Sequence, residues 1–132
     1  MGVRFHHLAL ITTGLFALLA MAWMFAPGQI LASWQVSASP ASDLVSHRVA
    51  AFYAGIALMF FLVRNATPSP ARHALTAGFG LICVLLAALG VFELLSGHAS
   101  TGILPAILIE AALPLAFARA CCADSSQPPA PT

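Results

Sequence analysis

Three ionisable residues, Arg48, Glu93 and Glu110, stand inside otherwise apolar runs of this sequence. A charge within hydrocarbon is costly, roughly 2.5–3.5 kcal/mol at a helix centre on insertion scales, so such residues face protein or water and mark candidate working sites. Two carboxylates and one guanidinium are complementary in charge. They could form a structural ion pair that fixes helix register while Glu93 snorkels to the interface. They could equally form a polar pocket, open outward, that binds a small ligand or relays protons.

Pro114 draws attention to Glu110. Proline has no N–H, so the carbonyl four residues earlier, that of Glu110 itself, loses its helical donor. The Arg48 guanidinium carries five N–H donors and could serve it. His47 and His98 flank the same side, and Tyr53 offers a hydroxyl deeper in the second apolar run. The candidate ligand-binding or ion-pair residues are therefore Arg48, Glu93, Glu110, His47, His98 and Tyr53. Arg48–Glu110 is the expected pair, with Glu93 as the fallback partner.

No catalytic residue emerges. There is no phosphate-cradling glycine loop, nucleophile elbow or zinc-protease motif. The cysteines are Cys83, within an apolar run, and the adjacent pair Cys121 and Cys122. Neither a disulfide framework nor a C-x-x-C redox motif can be read from them. Two neighbouring thiolates could take a soft metal ion, but two sulfurs alone do not define a site. His47 with His98 is the one outer-side imidazole pair for a haem, and His6, His7 and His73 lie near the inner boundary. All five sit at helix ends or in loops, so no metal or cofactor is predicted.

The elements that must position these groups are membrane spans. Of 132 residues, 61% are hydrophobic and 7% charged. Water-soluble domains carry about 25% charged residues, so this chain lacks the polar surface to coat a globule. Its net charge of +1 offers no basic stripe for phosphates, which excludes a nucleic-acid partner. Four apolar runs, 8–27, 45–63, 74–96 and 103–119, fall in the roughly 17–25 residue window of a membrane helix. Backbone groups in lipid must be satisfied within the segment, so each run is read as a helix. The first is longer than the roughly 7–15 residue core of a signal peptide and is expected to persist as a span. At a rise of about 1.5 Å per residue, Arg48 and Glu93 lie about 5 Å inside the outer ends of their helices, and Glu110 about 10 Å.

The fold class is accordingly all-α, an antiparallel bundle of four transmembrane helices in one domain over 1–122. A Pro/Ser-rich tail, 123–132, is expected not to fold alone. If four spans alternate, Arg4, Arg64, Arg72 and Arg119 share one side and Arg48 alone lies on the other. This positive-inside pattern predicts cytoplasmic termini, with the loop 28–44 and the turn 97–102 outside. Trp23 and Trp34 fall near the outer interface, which suits amphipathic rings. Small-residue stripes predict close helix approach: Gly80, Cys83, Ala87, Gly90 and Gly97 in the third span, Ala51 and Gly55 in the second, and Ala9, Thr13, Ala17 and Ala20 in the first.

One resemblance follows from particular residues. The first span ends in Phe25-Ala26-Pro27, and the second opens with His47-Arg48-Val49-Ala50-Ala51-Phe52-Tyr53-Ala54-Gly55. The third closes with Gly90-Val91-Phe92-Glu93, and Glu110 stands within the fourth. This layout resembles the small four-helix integral membrane proteins of bacteria, DoxX-like in outline, that carry an Arg at the start of helix two and a Glu in helix four. The resemblance covers about 8–119 and implies a multi-pass protein of the bacterial inner membrane, without implying an activity. Small multidrug transporters have a similar length, but their Glu lies in the first helix, which here contains no acid.

Three function classes fit the sequence. The first is a non-enzymatic accessory or structural subunit of a membrane assembly, whose partners would be the lipid bilayer and other membrane proteins or further copies of itself. The second is a small transporter or ligand-binding bundle using the Arg/Glu cluster. The third is a haem- or quinone-associated redox subunit.

Overall fold

A computed structural model describes residues 3–125, which form five α-helices and one short 3₁₀ turn, with no strand among them. The helices are α1 (Val3–Phe25), α2 (Pro27–Ser33), α3 (Pro40–Val63), α4 (Pro70–Leu95) and α5 (Leu104–Ser125). The turn Thr101–Ile103 leads into α5. α1, α3, α4 and α5 are each long and apolar enough to cross a membrane, so the chain is read as a multi-pass membrane protein.

The helix starts explain why the elements exceed the apolar runs. Pro27, Pro40 and Pro70 each stand in the first helical turn, where a missing N–H costs nothing. Ser39 caps α3: its hydroxyl accepts from the Ser42 N–H at 3.1 Å, and the Ser42 hydroxyl accepts from the Ser39 N–H at 2.8 Å. This reciprocal box holds the helix five residues before the apolar run begins. Ser69 caps α4 by accepting from the Arg72 N–H at 3.2 Å. At the far end of α4, Gly97 adopts φ 73°. The His98 N–H then returns to the Glu93 carbonyl and the Gly97 N–H to that of Leu94, a left-handed cap that satisfies two terminal carbonyls. Gly97 thus ends the helix and does not extend its small-residue stripe.

Two other expectations change. Residues 28–44, expected to be a loop, contain most of α2. α5 continues through Cys121 and Cys122 to Ser125, so 123–125 are helical, while 126–132 of the expected tail lie outside the described residues.

α1 packs along α3 and α4 along α5, and α1 also meets α5. At the end holding the start of α1, four rings converge: Phe5, Phe60, Phe79 and Phe117, one from each long helix. Their centroids lie 4.7 Å apart for Phe60–Phe79, 5.0 Å for Phe60–Phe117 and 5.8 Å for Phe79–Phe117. Aromatic contacts of this kind add to the area they bury. Small residues let α4 and α5 approach, as the third-span stripe predicted: Gly80 faces Pro114, and Gly90 faces Ile107. Many large apolar side chains, among them Leu18, Phe52, Leu62 and Leu95, point outward. In water such a surface would aggregate; against lipid it is the required solvent face.

Candidate functional site

Toward the opposite end a largely enclosed cavity of about 270 Å³ lies between the helices. Phe16 and Trp23 of α1, Tyr53 and Ile56 of α3, Cys83 and Leu86 of α4, and Ile109, Glu110 and Leu113 of α5 form its walls. Ile30 of α2 and Trp34, the residue that caps its C-terminus, close it. Two edge-to-face ring pairs stiffen the lining, Phe16–Tyr53 at 5.4 Å and Trp23–Trp34 at 5.5 Å.

The roof is held from the far side of the chain. The Ser100 hydroxyl donates to the Ser33 carbonyl at 2.9 Å, and the Ser100 N–H donates to the Trp34 carbonyl at 3.0 Å. Those carbonyls at the end of a short helix would otherwise lack donors. A Cβ built on Gly102 would stand 2.1 Å from the Ser33 oxygen, so only glycine lets the α4–α5 connection sit this close. Gln35, with φ 61°, turns the chain out of α2 in the left-handed region.

Among the described residues, Glu110 is the one acid in the cavity wall, and no Lys, Arg or His lines it. The carboxyl is half-buried, and no hydrogen bond or ion pair joins it to another described residue. Tyr53 and Cys83 line the cavity with it and bring a hydroxyl and a thiol to the same wall. The walls are otherwise aliphatic and aromatic, so the arrangement suits binding of an apolar body beside one carboxyl group.

The structure divides the six candidate residues. Glu110 and Tyr53 meet at the cavity. Arg48 does not join them: it is exposed, and no ion pair or hydrogen bond links it to Glu110 or Glu93. The reason is helical phase. Ser46, Ala50, Ala57 and Phe60 are buried on α3, with Tyr53 on the same stripe. Arg48 is two residues from both Ser46 and Ala50, about 200° around a helix of 3.6 residues per turn. His47 is exposed as well. Glu93, in the last turn of α4, instead pairs locally with His98 just beyond it, Oε2 to Nδ1 at 2.9 Å, with both side chains substantially exposed.

A second charge is deeply placed that sequence reasoning counted only for orientation. Arg72 is 3% exposed, the one buried side chain among the Asp, Glu, Lys, Arg and His of the described residues. Its guanidinium stacks over the Phe5 ring at 3.9 Å, and Nη1 donates to the Ala66 carbonyl at 3.0 Å. It belongs to the phenylalanine end of the bundle, away from the cavity. The cysteine pair is likewise part of a helix: Cys121 Sγ lies 3.9 Å from the Thr76 hydroxyl. Among the described residues, no three His, Cys, Asp or Glu side chains come together as a metal-holding group. Comparison of the chain with protein-family models, with curated proteins and with solved structures finds no match.

Proposed function

We propose that this chain is a non-enzymatic ligand-binding membrane bundle, with the cavity under α2 as its site and Glu110 as the polar anchor. The observation that supports this reading is a half-buried carboxyl with no partner among the described residues, set in an enclosed apolar cavity. A carboxylate away from water is costly unless a counter-charge or a donor meets it. A bundle built for packing alone gains nothing from such a residue; a binding site gains orientation and selectivity. Ala106 lines the cavity, so Ala106→Phe is the variant to test. A single-ring aromatic solute should raise the thermal midpoint of the native chain in detergent by mass action and leave Ala106→Phe unmoved. Equal responses from the two proteins would refute the reading.

The accessory-subunit reading is favoured by a different surface. Ala51 and Gly55 are exposed on α3, and nothing lies within 4 Å of a Cβ added at Gly55. A small-residue face left unused within the chain suits a neighbouring helix. Gly55→Leu should abolish any oligomer or complex seen by native mass measurement, and an unchanged assembly would dismiss that face.

We propose the inner membrane of a bacterium as the location, with both termini cytoplasmic, on the strength of the arginine asymmetry. In a chain carrying Cys121→Ser and Cys122→Ser, an impermeant thiol reagent should label Ser37→Cys and spare Thr67→Cys. The opposite pattern would invert the topology.

A further inference from the structure

We infer that the occupant of the cavity is a small organic cation, an amine or quaternary ammonium group on an apolar or aromatic body. The inference rests on the ligand-binding reading above and adds the chemical class. Charge carries the first step. Among the described residues, Glu110 is the acid of the lining, no basic side chain shares the wall, Arg48 faces outward, and Glu93 is engaged by His98. The positive charge that balances the carboxylate is therefore one a ligand can bring. An anionic ligand would set like charges together with no counter-charge, and a neutral apolar one would leave the carboxylate unmet.

The rings carry the second step. Phe16, Trp23, Trp34 and Tyr53 all line the cavity. Aromatic faces are the negative pole of a quadrupole, and cages of such rings take quaternary ammonium groups. Size carries the third. At about 270 Å³ the cavity lies just below the roughly 300 Å³ at which drug-sized ligand sites begin, which limits the occupant to a molecule of one or two rings.

Benzyltrimethylammonium and neopentylbenzene have the same shape and differ in a nitrogen cation against a neutral carbon, so the pair isolates charge. The chain contains two tryptophans, Trp23 and Trp34, and both line the cavity, so intrinsic fluorescence reports on occupancy directly. The full chain in nanodiscs of zwitterionic phosphatidylcholine should show a saturable change with the cation at concentrations about tenfold lower than with its isostere. Glu110→Gln should raise the half-saturation concentration for the cation about tenfold and leave that for the isostere within about twofold, while Glu110→Asp keeps the preference for charge. If the native chain binds the isostere as tightly as the cation, or if Glu110→Gln binds the cation as the native chain does, the inference falls and the binding site stands. If neither compound produces a saturable change, the ligand-binding reading itself falls.

Discussion

Ser100 and Ser33 stand 67 residues apart in sequence and 2.9 Å apart in the fold, hydroxyl to carbonyl, and this bond fastens the roof of the cavity to the α4–α5 connection. The neighbouring backbone bond from Ser100 to Trp34 survives substitution of the hydroxyl. Ser100→Ala should therefore cost about 0.5–1.5 kcal/mol, the net worth of one such bond. Gly102→Ala should act more strongly, because its methyl would meet the Ser33 oxygen at 2.1 Å and push the connection off α2. Amide hydrogen exchange at Trp34 and Val36 measures both. The order expected is native slowest, Ser100→Ala faster and Gly102→Ala fastest; equal rates in all three would show that this contact does not hold the roof.

Arg72 supports the other end of the bundle. Its guanidinium covers the Phe5 ring and reaches the Ala66 carbonyl, so it joins the starts of α1 and α4 to the α3–α4 turn. Replacement by Met removes a cation–π contact and a charge-assisted hydrogen bond, at a cost of roughly 2–4 kcal/mol. Lys restores the charge without the planar fork, so Arg72→Lys should recover less than half of the loss. Thermal midpoints in detergent decide the matter, and an Arg72→Met protein as stable as the native chain would contradict the packing described.

The spans were legible in the sequence because length and hydropathy suffice to define a membrane helix. Rotation was not. A helix apolar on all sides has no polar face to mark its phase, so nothing in residues 45–63 announced that Tyr53 turns inward and Arg48 outward. The inward stripe of α3 contains Ser46 and two alanines, Ala50 and Ala57, selected for size and not for hydropathy. α2 escaped notice because Pro27-Gly28 reads as a break and seven residues are too few to show a period. Arg72 was visible as a charge, but a count of charges for topology says nothing of burial. Glu110 and Tyr53, by contrast, were singled out from type and depth alone and both line the cavity; a carboxyl inside a span is rare enough to stand out.

The separation of Arg48 from Glu110 gives a direct prediction about their energetics. Opposite charges at similar depth favour a pair on sequence grounds, yet the two side chains occupy different surfaces and share no bond. In a double-mutant cycle with Arg48→Met and Glu110→Gln, thermal stabilities should add to within about 0.5 kcal/mol. A coupling energy above about 1 kcal/mol would mean that Arg48 reaches the cavity after all.

Gly90 and Ile107 test the fit of the second hairpin. A Cβ on Gly90 would lie 2.7 Å from Ile107 Cγ1 and 3.2 Å from its Cδ1, and Ile107 is itself buried. Cγ1 is the first branch of a stiff side chain, so relief requires α4 and α5 to move apart or Ile107 to leave its rotamer. Gly90→Ala should therefore destabilise the bundle by about 1–3 kcal/mol, despite the better helix propensity of alanine. Ile107→Ala alone should also destabilise, because it opens a cavity at the same contact. Combined, the new methyl occupies part of the space left by the old side chain, so the double variant should be more stable than the sum of the two losses implies. Gly55→Ala serves as the control, since nothing lies within 4 Å of its added Cβ, and it should be neutral or gain up to about 1 kcal/mol from propensity. If Gly90→Ala behaves like Gly55→Ala, the close approach of α4 and α5 at Gly90 is refuted.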